Sequence, residues 1–123
     1  MQDLTGRALK AVLEDVADNL FNPDPYLQQG GDMARVGGMD FACAPNETAG
    51  NRISDMTLDD GSAIEADKTY RLAGWASVNE QHGPPASAVV LEYLRSRKTV
   101  TIARRNRVVL KGVTNDPGVA ENG

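Results

Sequence analysis

Apolar residues recur at Leu9, Val12, Leu13, Val16 and Leu20. That spacing of i, i+3, i+4, i+7 and i+11 draws one apolar stripe along a helix. Thr5 stands where an N-cap acceptor is needed, and Asn22-Pro23-Asp24-Pro25 ends the helix abruptly, because each proline pushes the residue before it out of helical backbone. A second helix is predicted to start at Gly83-Pro84-Pro85, to turn Ala86, Val89, Val90, Tyr93 and Leu94 inward, and to end near Arg97-Lys98, where cations complement the negative end of the helix dipole. Between the helices, alternating or β-branched runs predict strands over 34–42, 50–58, 62–65 and 69–76, with Asp59-Asp60-Gly61-Ser62 as the turn of a hairpin. Short β-branched runs at 99–103 and 107–111 follow, joined by Arg104-Arg105-Asn106. The order α-β-β-β-β-α-β-β predicts an α+β domain, a mixed, largely antiparallel sheet backed by two main helices, over residues 1–114. Residues 115–123 carry mostly Gly, Pro and polar side chains and are expected to form a flexible tail.

One run stands apart. Gly30-Gly31-Asp32-Met33-Ala34-Arg35-Val36-Gly37-Gly38 places a single cation between two Gly-Gly pairs. Glycine reaches positive φ and lets a ligand approach the main chain, so the run suits an anion or a polar peptide. A turn followed by a strand with a glycine kink accounts for the same letters. Arg35 accordingly has two readings, a strand residue paired with a nearby aspartate or a free guanidinium able to grip an oxyanion.

Charge is uneven. Thirteen of the seventeen acidic residues lie within positions 1–67, whereas Arg95, Arg97, Lys98, Arg104, Arg105, Arg107 and Lys111 occupy a stretch without any acid. No aromatic residue follows Tyr93 there, and the net charge of the chain is −4, so nucleic acid is not an expected partner. The stretch reads as a solvated face or as a surface that docks an acidic protein. With 123 residues, 41% hydrophobic and 24% charged, the composition is that of one globular domain. No apolar run approaches the roughly 20 residues that cross a bilayer, so no membrane contact is expected.

Catalytic chemistry is poorly supplied. His82 is the single histidine and Cys43 the single cysteine, which leaves no ligand cluster for a hydrolytic metal and no internal disulfide. Ser54, Ser62, Ser77 and Ser87 lack the elbow of a nucleophilic serine. Cys43 is expected to be a small half-buried side chain at a strand end rather than a reactive thiol.

Leu4-Thr5-Gly6-Arg7-Ala8-Leu9-Lys10, Asn22-Pro23-Asp24-Pro25-Tyr26, the double-glycine run and Lys68-Thr69-Tyr70-Arg71-Leu72-Ala73-Gly74-Trp75-Ala76 together resemble the C-terminal domain of the 5'-nucleotidase family. The Gln-Gly-Gly-Asp-Met and Ala-Gly-Trp-Ala segments resemble its SoxB-type thiosulfohydrolase branch, which serves the sulfur-oxidation (Sox) system. The resemblance reaches to about Leu94. It implies a periplasmic two-domain hydrolase whose N-terminal metallophosphatase-like domain, outside this chain, carries a two-metal manganese centre. The whole enzyme would release sulfate from a cysteine S-thiosulfonate on a SoxYZ-like carrier. This chain would contribute substrate recognition, hold no cofactor and be inactive alone, and any export signal would lie on residues outside it, making Met1 an artificial start. Carried over by likeness, the substrate-binding residues are Gly31, Asp32, Arg35, Gly37, Gly38 and Trp75, with no catalytic and no metal-binding residue among them. Trp75 suits either a flat wall for a glycine-rich arm or plain core packing. The loop from Trp75 to Pro85 lacks the Asp-Phe and Gly-Gly-Asp elements of the nucleotidases. A nucleotide-binding domain of a 5'-nucleotidase-like phosphohydrolase and a non-catalytic interaction module are the alternatives.

Overall fold

The computed structural model describes residues 1–74, 83–102 and 106–113. Its elements run β1 (Gln2–Thr5), α1 (Gly6–Phe21), a 3-10 turn (Pro25–Leu27), β2 (Met39–Cys43), β3 (Ile53–Leu58), β4 (Thr69–Leu72), α2 (Ala86–Arg97) and β5 (Val108–Leu110). The fold is α+β, with two α-helices and two small sheets among the described residues. β1 pairs antiparallel with β4, Gln2 opposite Leu72. In the second sheet β2 is central, antiparallel to β3 and parallel to β5.

Helix α1 forms as its pattern predicts. Thr5 Oγ1 accepts the Ala8 N–H at 3.2 Å, and Asn22 closes the other end by donating its backbone N–H to the Asp18 carbonyl. The buried stripe runs Leu9, Leu13 and Ala17, with Val12, Val16 and Leu20 half-buried beside it. These residues pack on Met39, Phe41 and Cys43 of β2 and on Ile53 of β3, which are nearly inaccessible to solvent. Gly6 answers a close approach: a Cβ there would lie 2.2 Å from the Glu65 carbonyl oxygen. The gap is closed by backbone hydrogen bonds from Gly6 N–H to the Lys68 carbonyl and from Arg7 N–H to the Ala66 carbonyl. They tie the start of α1 to the approach to β4.

Several expected elements are altered. The strand over 34–42 begins only at Met39, because residues 32–36 have no hydrogen-bonded partner strand. The segment 62–65 shrinks to one bridge between Thr57 and Ala63, around a turn in which Gly61 takes φ 85°. Residues 99–102 form no strand. β1, too short to show periodicity, was not anticipated. β3 carries one extra residue relative to β2, and the bulge places Asp55 at φ 50°, a left-handed conformation that Asp tolerates. The largest departure is α2. It begins after Pro85 as predicted, yet none of its residues is buried. Ala86, Val89, Val90, Tyr93 and Leu94 do not turn inward onto any described part of the fold. Trp75, His82, Arg104, Arg105 and the tail 115–123 lie outside the described residues.

Candidate functional site

The double-glycine run is a strap fixed at both ends. Gly30 donates its N–H to the Asn19 carbonyl of α1 at 3.2 Å. At the other end Gly38 donates to the Asn106 side-chain oxygen at 3.1 Å, and its carbonyl accepts the Asp59 N–H at 3.2 Å. Met33, Ala34 and Val36 pack against the core cluster between these anchors. Between Ala34 and Val36, Arg35 is exposed to solvent. Its guanidinium has no hydrogen-bond or ion-pair partner among the described residues, and Asp32 is likewise exposed and unpaired there. Among the described residues, no aspartate pairs with Arg35.

The glycines of the strap divide by demand. Gly30, Gly31 and Gly38 take φ 77°, 100° and 83°, where any side chain is strained. Gly37 has no positive φ, and a Cβ on it would meet nothing within 4 Å. Neither conformation nor packing requires glycine at 37, and the main chain there is open to an approaching group.

Behind Gly38 lies a network that the sequence did not reveal. Asn106 donates from its amide to Asp40 at 3.2 Å and to Asp59 at 2.6 Å, while Arg107 donates its backbone N–H to Asp40 at 2.8 Å. The segment before β5 thereby holds the second glycine pair against β2 and the end of β3. Lys111, just past β5, pairs with Asp55 at the β3 bulge and donates to Ser54 at 3.2 Å. At least part of the basic stretch is therefore neutralised inside the domain.

A second polar cluster sits under α1. Glu14 is buried and accepts three backbone N–H groups, from Ile53 at 2.8 Å, Gly50 at 3.0 Å and Arg52 at 3.2 Å. Arg52 is 2% exposed, donates to Asp18 at 2.7 Å and to the Phe21 carbonyl at 3.2 Å, and leaves its Nε without a partner among the described residues. The Arg52 guanidinium, helped by the Asn22 amide, holds the Asp18 carboxyl below the usual aspartate range. Burial and the nearby Glu14 charge push the Cys43 thiol up, opposed by Arg52. Cys43 is therefore a buried, unactivated thiol rather than a nucleophile. One sequence signal pointed here. A glutamate beside the apolar stripe, one residue after Leu13, cannot face solvent fully, but nothing local says which amides it meets.

Among the described residues, no group of three or more His, Cys, Asp or Glu side chains could hold a metal ion. Two surface grooves of about 470 and 530 Å³ flank α1 and the 45–50 loop, and no residue of the strap lines either. Gly31, Asp32, Arg35, Gly37 and Gly38 thus share one exposed strap, while Trp75 lies outside the described residues.

Comparison with known proteins bears on the family and the fold. A profile of the 5'-nucleotidase, C-terminal domain, family matches residues 1–83. Among solved structures, the sulfate thiohydrolase SoxB of Thermus thermophilus, determined in complex with glycerol, aligns at 31% identity with a TM-score of 0.68. The alignment covers 90% of this chain and 22% of that one, so the chain spans less than a quarter of the length of its structural neighbour. No curated protein matches.

Proposed function

Because the chain belongs to the 5'-nucleotidase C-terminal domain family, we propose that residues 1–114 form the substrate-recognition part of a two-domain metallohydrolase of the thiosulfohydrolase type, with 115–123 as a tail. The substrate in this reading is a cysteine S-thiosulfonate on a SoxYZ-like carrier in the periplasm, from which the whole enzyme releases sulfate. The observation that carries it is Arg35, an exposed cation without a partner among the described residues, on a strap whose two ends are hydrogen-bonded to the fold. A guanidinium offers a rigid fork of donors that matches the oxygens of a sulfonate. Gly37 leaves the main chain open to a glycine-rich arm, and Gly31, Asp32 and Gly38 belong to the same strap. By likeness to the family, Trp75 would supply a flat wall for that arm. In this reading the two-metal manganese centre is carried by an N-terminal metallophosphatase-like domain outside this chain.

The test is Arg35→Ala in the full-length enzyme. Losing one charged donor from a desolvated site costs about 2–4 kcal/mol of transition-state stabilisation, so kcat/KM for sulfate release should fall about 30- to 1,000-fold. Fold stability should change by less than about 1 kcal/mol, since Arg35 pairs with nothing in the described fold. Normal turnover with a lowered denaturation midpoint would sink the site assignment. Turnover of a nucleotide in place of the thiosulfonate would transfer the reading to a phosphohydrolase. Metal-dependent sulfate release by the 123-residue chain alone would overturn the division of labour.

A further inference from the structure

The strap that carries Arg35 joins the core to β2 through a soft link. Val36 packs against the core cluster, and only Gly37 and Gly38 separate it from Met39, the first residue of β2. Two successive glycines leave the backbone its widest freedom, and a Cβ built on either would meet nothing within 4 Å. The link is fixed by a side chain 68 positions away. Asn106 accepts the Gly38 N–H on Oδ1 at 3.1 Å, while Asp59 donates its backbone N–H to the Gly38 carbonyl at 3.2 Å. Both main-chain polar groups of Gly38 are thereby held. The orientation of the Asn106 amide is itself determined, because its NH2 donates to Asp40 at 3.2 Å and to Asp59 at 2.6 Å, and an ionised carboxylate only accepts. The Arg107 N–H, bonded to the same Asp40 oxygen at 2.8 Å, fixes the backbone beside that amide.

We propose that Asn106 is a positioning residue of the recognition site: its amide clamps Gly38 and so sets where the strap presents Arg35 to the sulfonate of the substrate. Arg35 stands three residues before the clamp, and no hydrogen-bond or ion-pair partner among the described residues holds its guanidinium. Its place is set by the strap, which Ala34 and Val36 seat on the core and Asn106 holds at the β2 end. Misplacing a binding group by about 1 Å can cost about 100-fold in rate, so a firm hold on this backbone has a functional consequence. A purely architectural Asn106, tying the approach to β5 against β2 and β3, would affect stability without acting through Arg35. The inference rests on reading Arg35 as the group that grips the substrate, and extends that reading to the residue that sets its geometry.

A double-substitution cycle in the full-length enzyme tests it. With Arg35 intact, Asn106→Ala should lower kcat/KM for sulfate release about 10- to 100-fold. In the Arg35→Ala background the same change should lower it by no more than about 2-fold, because no guanidinium is left to misplace. Thermal midpoints are the control for architecture: Asn106→Ala should lower them by equal amounts in both backgrounds. An equal loss of activity with and without Arg35 would overturn the inference and leave Asn106 as a structural tie. Unchanged kcat/KM in Asn106→Ala would overturn it too, and a loss in Arg35→Ala alone would keep the reading of Arg35 intact. Normal turnover in Arg35→Ala removes that reading, and the inference with it. Asn106→Ser, which keeps a shorter side-chain oxygen, goes through the same cycle and decides the matter if the alanine variant does not fold.

Discussion

Glu14 joins helix to sheet, and its replacement by glutamine is the sharpest probe of the fold. One carboxylate takes three backbone N–H groups, Ile53 on Oε1 and both Gly50 and Arg52 on Oε2. Glutamine has the same shape but one acceptor and one donor group. Its better orientation puts the oxygen between Gly50 and Arg52 and turns the NH2 towards the Ile53 N–H. One buried donor is then unsatisfied, which costs about 1–3 kcal/mol. The two surviving bonds lose their charge assistance and about half their strength, a further 0.5–1 kcal/mol or so. The expected loss is about 2–4 kcal/mol, which for a domain of this size lowers the thermal midpoint by about 10 °C. Melting followed by circular dichroism, together with urea denaturation, measures both quantities. Glu47→Gln is the control, because that exposed carboxylate is on the same loop and its side chain makes no described hydrogen bond; it should shift stability by less than about 0.5 kcal/mol. A Glu14→Gln protein within about 0.5 kcal/mol of the parent would refute the reasoning and make the three contacts incidental.

Gly6→Ala should destabilise by about 2 kcal/mol or more although alanine is the better helix former by about 1 kcal/mol, because its Cβ meets the Glu65 carbonyl oxygen at 2.2 Å and backbone must move. A urea midpoint equal to or above the parent's would show that the 65–68 segment yields freely. Acid should weaken the fold through Asp18, whose carboxyl the Arg52 guanidinium holds below its unfolded value. That contribution is fully present above the unfolded aspartate value of about 3.9 and is lost as pH falls through the lower folded value. Urea midpoints measured from pH 6 down should therefore fall less steeply for Asp18→Asn than for the parent, and parallel curves would remove Asp18 from the account. Finally, Cys43 should react with a thiol reagent at least about 100-fold more slowly in the native chain than in urea, since the side chain is buried and its thiol is pushed up. Equal rates would mean that β2 opens readily.

Periodicity and stop signals determined much of this protein locally. The Leu9-Leu13 stripe, the Thr5 cap, the break at Asn22-Pro23, the turn at Gly61 and the start of α2 after Pro85 all follow from neighbouring residues, and each is where the pattern places it. Gly30, Gly31 and Gly38 of the double-glycine run do take positive φ, whereas Gly37 does not, and the strand expected from 34 begins only at Met39. What tertiary structure decided is everything that joins residues distant in the chain. The sequence could not choose between a paired and a free Arg35, because that depends on which carboxylates the fold brings near. It could not show that Asn106 holds Gly38 across 68 positions, or that Glu14 serves the amides of Gly50, Arg52 and Ile53. A glycine such as Gly6 looks like any other until the Glu65 carbonyl lies against it. The apolar pattern of α2 foretold burial, but burial is a relation between two surfaces, and the described chain supplies only one of them.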